Sequence, residues 1–117
     1  MSFILDSTLR DGAYAFGNSM PLAYISYIAK HLDGLVDFIE VGSSISFGYG
    51  SNSSMQEDLI RLNNLNNLLK HSKSVVFIQP SLLSNPVEDL KRIIDSNPSI
   101  IRLGIDPEIN NSKDFEI

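Results

Sequence analysis

Four short apolar runs, separated by three stretches of helical periodicity, restrict this chain more than any other feature. The runs cover residues 3–6, 36–41, 75–79 and 99–105. Between them, apolar residues recur at three- and four-residue intervals: Leu22, Ile25, Ile28, Ala29 and Leu32; then Leu59, Leu62, Leu65, Leu68 and Leu69; then Val87, Leu90, Ile93 and Ile94. The helix boundaries carry their own signals. Pro21 follows a capping Ser19, and Gly34 closes the first helix. Ser54-Met55-Gln56-Glu57 reads as a capping box, and Asn85-Pro86-Val87-Glu88 combines a cap, a first-turn proline and a Glu at the third helical position. The pattern predicts β-α-β-α-β-α-β, which forces parallel strands joined by right-handed crossovers. Strands dense in Ile, Val and Phe predict a sheet covered on both faces. Residues 1–117 are expected to form a single domain, with 106–117 either a frayed tail or the start of a further element.

The first run, Phe3-Ile4-Leu5, reads as a buried strand and stops abruptly in Asp6-Ser7-Thr8-Leu9-Arg10-Asp11-Gly12-Ala13-Tyr14. Residues 7–20 are expected to be a loop. Polar side chains at the C-terminal end of a parallel strand are where α/β folds place their chemistry. This turn matches neither the glycine-rich dinucleotide fingerprint nor a P-loop. A (β/α)8 TIM barrel needs about 250 residues, and 117 residues supply under half of that. The expected architecture is therefore α/β, the N-terminal half of such a barrel comprising strands one to four.

Composition removes several function classes. The net charge of −5 and the lack of a basic cluster disfavour nucleic acid as a partner. Cysteine is absent, which rules out disulfides, thiolate metal sites and a Cys nucleophile and fits a reducing compartment. No window reaches the ~18 apolar residues of a membrane span, and no signal peptide is evident. The expected location is the cytoplasm, without membrane attachment.

The Asp6-x-Thr8-Leu9-Arg10-Asp11-Gly12 motif resembles the opening of the metal-dependent aldolase and acyl-lyase superfamily, which is built on a barrel and includes 4-hydroxy-2-oxovalerate aldolase, hydroxymethylglutaryl-CoA lyase and isopropylmalate synthase. Val36-Asp37-Phe38-Ile39-Glu40-Val41-Gly42 is similar to that family's second strand. The Gly/Ser-rich loop 43–54, with Phe47-Gly48-Tyr49-Gly50, is similar to the hydroxy-oxovalerate aldolase branch, as are Gln79-Pro80, the helix start at Val87–Lys91 and the strand Ile100–Ile105. The resemblance spans residues 3 to about 106.

This resemblance implies carbon–carbon bond cleavage of a small hydroxy-oxo acid. It implies that Asp11 ligates a divalent cation, Mn²⁺ or Mg²⁺, and that Arg10 faces the substrate's oxo or enolate oxygen. Glu40 would lie beside Arg10 and hold it, since a Glu inside an apolar strand needs a cationic partner. Phe47 and Tyr49 are candidates for substrate contact, and Arg102 for pairing with a barrel carboxylate or for substrate contact. Two departures stand out. Tyr14 occupies the position where the aldolase branch often carries a proton-transferring His, and a phenol is a poor base at neutral pH. The family's His-x-His metal ligands have no counterpart, because the two histidines, His31 and His71, fall near helix ends. The 117-residue chain is thus expected to be inactive by itself, with the metal held only once a C-terminal half is present. The alternatives are an acyl-CoA-using Claisen condensing enzyme, or a non-catalytic half-barrel whose open edges pair two copies.

Overall fold

In the computed structural model the described residues are 3–16, 20–49 and 52–105, without the side chains of residues 14, 15, 52 and 53. Four strands, β1 (Leu5–Asp6), β2 (Phe38–Glu40), β3 (Lys73–Ile78) and β4 (Ile100–Leu103), form one sheet in the order β1-β2-β3-β4. All three pairings are parallel. The crossover helices are α2 (Leu22–Leu32), α3 (Asn52–Leu68) and α4 (Pro86–Asp95); a short helix α1 (Thr8–Asp11) follows β1 directly. Sequential strand order with a helix between successive strands is the arrangement of half a (β/α)8 barrel.

The helices pack on one face of the sheet. Ile25 and Ala29 of α2, Met55, Leu62 and Leu65 of α3 and Ile93 of α4 meet Ile39, Val41, Val76 and Ile78 in a single apolar core. Leu59, Leu68, Leu69, Leu90 and Ile101 pack at its margin. Among the described residues the other face carries no helix, so there the sheet is covered on one side only, contrary to the sequence expectation. Uncovered positions follow from this. Phe3 is 66% exposed and Leu103 59% exposed, and Ile4, Leu5, Ile100 and Ile105 are also exposed. These residues lie at the two sheet edges, so the opening run is an edge strand rather than a buried one. The helical flanks are open as well: Leu22 and Val87 and Ile94, expected to point inward, are exposed. The inward face of α4 is instead Asp89, Leu90 and Ile93.

Local signals explain the remaining differences. The segment expected as a loop after β1 coils into α1 and a 3-10 turn over Gly12–Phe16. Helix α3 starts at Asn52, two residues before the capping box, so Ser54 lies inside the helix. At α4, Asn85 is the N-cap and Pro86 the first helical residue, but Asp89 rather than Glu88 accepts the backbone N–H of Asn85, at 3.2 Å. The strands are shorter than the apolar runs at 36–41 and 99–105, while β3 begins two residues earlier than expected. The proposed cap Ser19 and the stretch 106–117 lie outside the described residues.

The N-terminal end of the sheet is tied by Asp33, just past α2. Its carboxylate accepts the backbone N–H groups of Lys70, His71 and Ser72 at 2.8–2.9 Å. These bonds, that from Ser72 foremost and then that from Lys70, hold its pKa below the ordinary carboxylate value. Ser72 completes the knot, donating to the carbonyl of Val36 and accepting from the N–H of Gly34. Among the described residues no helix is long and apolar enough to cross a membrane.

Candidate functional site at the C-terminal end of the strands

Glu40 is the last residue of β2 and is fully buried on the face without helices. A carboxylate in that setting requires charge and hydrogen-bond partners. It has two. Arg10, from α1 beyond the end of β1, reaches Oε1 through Nη1 at 2.9 Å. Arg102, on β4, reaches Oε2 through Nη1 at 2.6 Å. Both distances are those of charge-assisted hydrogen bonds. The strand register accounts for the meeting. Phe77 pairs with Arg102 across β3 and β4, which puts their side chains on one face. The guanidinium carbons of Arg10 and Arg102 lie 4.4 and 5.6 Å from the centre of the Phe77 ring. Phe77 is thus the floor under both cations, a cation–π arrangement. Gly104 permits it, because any side chain there would collide with the Phe77 ring.

Arg10 is further fixed by the loop after β2, where its Nε donates to the carbonyl oxygen of Ser44 at 3.2 Å. That loop is itself rigidly held. Asp58, buried on α3, accepts the backbone N–H of Ser43 at 3.0 Å, the hydroxyl of Ser43 at 2.7 Å and the backbone N–H of Gly48 at 2.7 Å through one oxygen. Its other oxygen pairs with Arg61 at 3.1 Å. Ser46 Oγ accepts the backbone N–H of Gln79, and the N–H of Phe47 bonds to the carbonyl of Phe77. Gly42 makes the turn possible. Its φ is +125° and a Cβ there would stand 2.7 Å from the Phe47 ring.

The residues singled out from sequence therefore separate. Arg10, Glu40 and Arg102 form one cluster. Asp11 sits at the same end of the sheet, exposed, with the Ser7 hydroxyl donating to it at 2.9 Å. Tyr49 is exposed at the loop's tip. Phe47 does not join them: its ring is fully buried in the core, so it anchors the loop and presents no face to a ligand. The Tyr14 side chain lies outside the described residues. His31 donates through Nδ1 to the Tyr27 carbonyl near the end of α2, and His71 borders Gly34 below β3; both are at the opposite end of the sheet. A concavity of about 540 Å³, lined by Phe3, Val36, Phe38, Lys73 and Ile100, also lies at that opposite end.

A divalent cation is implied by the resemblance, and the residues do not amount to a site for one. Among the described residues no group of three or more His, Asp or Glu is placed to hold a metal. Asp11 offers a single carboxylate, already engaged by Ser7. Sequence reasoning missed Asp58 and the role of Phe77. Asp58 could have been noticed as a carboxylate within the buried stripe of Met55, Leu62 and Leu65, whereas an aromatic floor has no signature in a strand of mixed apolar residues.

No family model matches the sequence. Over 106 residues, 86% of this chain, the sequence is 30% identical to the 4-hydroxy-2-oxovalerate aldolase of Moorella thermoacetica. The chain spans 30% of the length of that protein. This similarity and the parallel α/β sheet are of one piece with the resemblance carried by Asp6–Gly12, and they support an aldolase-like chain at the level of the family.

Proposed function

We propose that this chain is the N-terminal part of a carbon–carbon lyase, a barrel enzyme that cleaves a hydroxy-oxo acid of the 4-hydroxy-2-oxovalerate type. The observation that carries the reading is the buried Glu40 holding Arg10 at the mouth of the sheet. In a retro-aldol reaction the hydroxyl at C4 loses its proton, the C3–C4 bond breaks to release an aldehyde, and the electron pair moves onto the 2-oxo oxygen as an enolate. A proton then returns to C3 and gives pyruvate. The difficult species is the enolate, and a preorganised guanidinium aimed at its oxygen stabilises it. Glu40 and the Ser44 carbonyl fix Arg10, so no reorganisation is needed as charge develops. In this reading Tyr14 exchanges a proton with the substrate, Tyr49 borders the ligand and Phe47 positions Tyr49. Asp11 supplies one ligand to a Mn²⁺ or Mg²⁺ ion whose other ligands come from outside the described residues.

The test is pyruvate release from 4-hydroxy-2-oxovalerate by the longer protein that contains this chain, with Arg10→Lys and Arg10→Met alongside. Losses of about 10²-fold or more in kcat are expected. Unchanged turnover in both variants rejects the role of Arg10, and absence of turnover in the parent rejects the reaction.

A second reading draws on the open edges. The sheet begins at β1 and ends at β4 with all strands parallel. A two-fold axis along the barrel would set β4 beside β1 of a second copy, twice over, and close an eight-stranded cylinder. In that case the chain is an assembly module, and light scattering of the 117-residue chain reads a dimer. A monomer at all concentrations removes it.

A further inference from the structure

We propose that Arg102 is the docking point for the carboxylate of a small 2-oxo acid, placed beside Arg10 by their common hold on Glu40. The inference rests on the lyase reading of this mouth and extends it, assigning the charged end of the ligand to a residue of β4.

The first argument is charge. Glu40 is fully buried, and one guanidinium suffices to neutralise it. Two are bound, so the cluster carries one positive charge in excess. Among the described residues neither aspartate at this end forms an ion pair with either guanidinium. Asp11 takes the hydroxyl of Ser7, and Asp6 takes the backbone N–H of Thr8. The Phe77 ring face attracts both cations but carries no net charge. A surplus cation beside low-dielectric walls concentrates anions.

The second argument is which cation is open. Arg10 uses Nη1 on Glu40 and Nε on the Ser44 carbonyl, and its side chain is only 18% exposed. Arg102 uses Nη1 alone, and its side chain is 45% exposed. Its Nε and Nη2 have no partner among the described residues. A planar guanidinium with an open edge suits a carboxylate, which takes two parallel N–H bonds. Its bond to Glu40 fixes the orientation beforehand, which lowers the entropy lost on binding. Both guanidiniums share one aromatic floor, so a single small ligand can meet both. Its carboxylate then lies on Arg102 and the adjacent carbonyl oxygen on Arg10. That pairing asks for a carboxylate next to a carbonyl.

The experiment is an NMR titration of the 117-residue chain, labelled with ¹⁵N at arginine, with pyruvate and with its neutral amide at matched ionic strength. The Arg102 Nε–H signal is expected to shift saturably with pyruvate and not with the amide. Arg102→Lys, which keeps the charge and a bond to Glu40, is expected to weaken binding at least fivefold, and Arg102→Gln to abolish it. Equal responses to pyruvate and the amide, a shift reproduced by chloride, or an Arg102→Lys chain that binds pyruvate as the parent does would each overturn the proposal. The lyase reading is judged separately. Turnover in the longer protein that is insensitive to Arg102→Lys leaves the lyase and removes this subsite, whereas saturable pyruvate binding without any turnover leaves the subsite and removes the lyase.

Discussion

Arg10 donates to Glu40 across 2.9 Å, joining the turn after β1 to the buried end of β2. The bond gives the site its orientation and also removes a buried charge from isolation. Glu40→Ala would leave two guanidiniums facing each other over Phe77 with no carboxylate between them. We expect a loss of about 3–5 kcal/mol, the range for breaking a buried ion pair from one side. Chemical denaturation of the variant reads this directly. A loss below about 1 kcal/mol would mean that water, and not the arginines, satisfies Glu40 in solution.

The loop after β2 gives a second prediction, in which neighbouring aromatics behave oppositely. Phe47 is fully buried and Tyr49 is 38% exposed. Phe47→Ala opens a cavity beneath Gly42 and is expected to cost about 3–5 kcal/mol. Tyr49→Ala is expected to stay within about 0.5 kcal/mol, as surface changes do. Asp58→Ala should resemble Phe47→Ala, because it strands the N–H groups of Ser43 and Gly48 and removes a partner of Arg61. Limited proteolysis should find new cleavage within 42–49 in both destabilised variants and none in Tyr49→Ala.

The tie made by Asp33 predicts a pH dependence. Its carboxyl is held below its ordinary value by the N–H groups of Ser72, Lys70 and His71. The folded state therefore binds the proton less readily than the unfolded one. The stability this confers is complete above the unfolded value, near 4, and is lost as pH falls through the lower folded value. Asp33→Asn, which has no such proton to bind, is expected to be less stable than the parent at neutral pH. The gap should narrow only as pH falls below about 4. Urea midpoints measured across the acid range check this, and a gap independent of pH would show that the bonds act without the charge.

Much of the fold was legible because βα units write their signals locally. Pro86 after Asn85 placed the start of α4, and Leu62 and Leu65 placed the buried stripe of α3. The pairing of Glu40 with Arg10, 30 residues apart, was legible for a different reason, since a Glu inside an apolar strand has few ways to be stable. What escaped depends on neighbours distant in sequence. Val87 and Ile94 fit an inward stripe by spacing, yet they are exposed on α4. Phe3 and Ile4 read as buried for the same reason: their composition suits a strand with two neighbours, and β1 has one. Phe47 invited a binding role by its place in a glycine-rich loop, and only the turn at Gly42 folds it back into the core.

The carboxylate of Asp11 supports a last prediction, on metal. It accepts the Ser7 hydroxyl and belongs to no group of three potential ligands among the described residues, and His31 and His71 lie at the far end of the sheet. A single exposed carboxylate exchanges water ligands for Mn²⁺ with little gain, since tight sites for hard cations assemble several oxygen ligands. Isothermal titration of Mn²⁺ into the 117-residue chain is therefore expected to show no binding tighter than about millimolar, the weak end of protein sites for hard cations. In the longer barrel that the lyase reading proposes, where further ligands can converge on the mouth, tight binding is expected, and Asp11→Ala should weaken it by at least tenfold, about 1.4 kcal/mol. Tight binding by the short chain would mean that residues outside the described ones already complete the site. Tight binding by the longer protein that Asp11→Ala leaves unchanged would place the metal elsewhere and free Asp11 of that role.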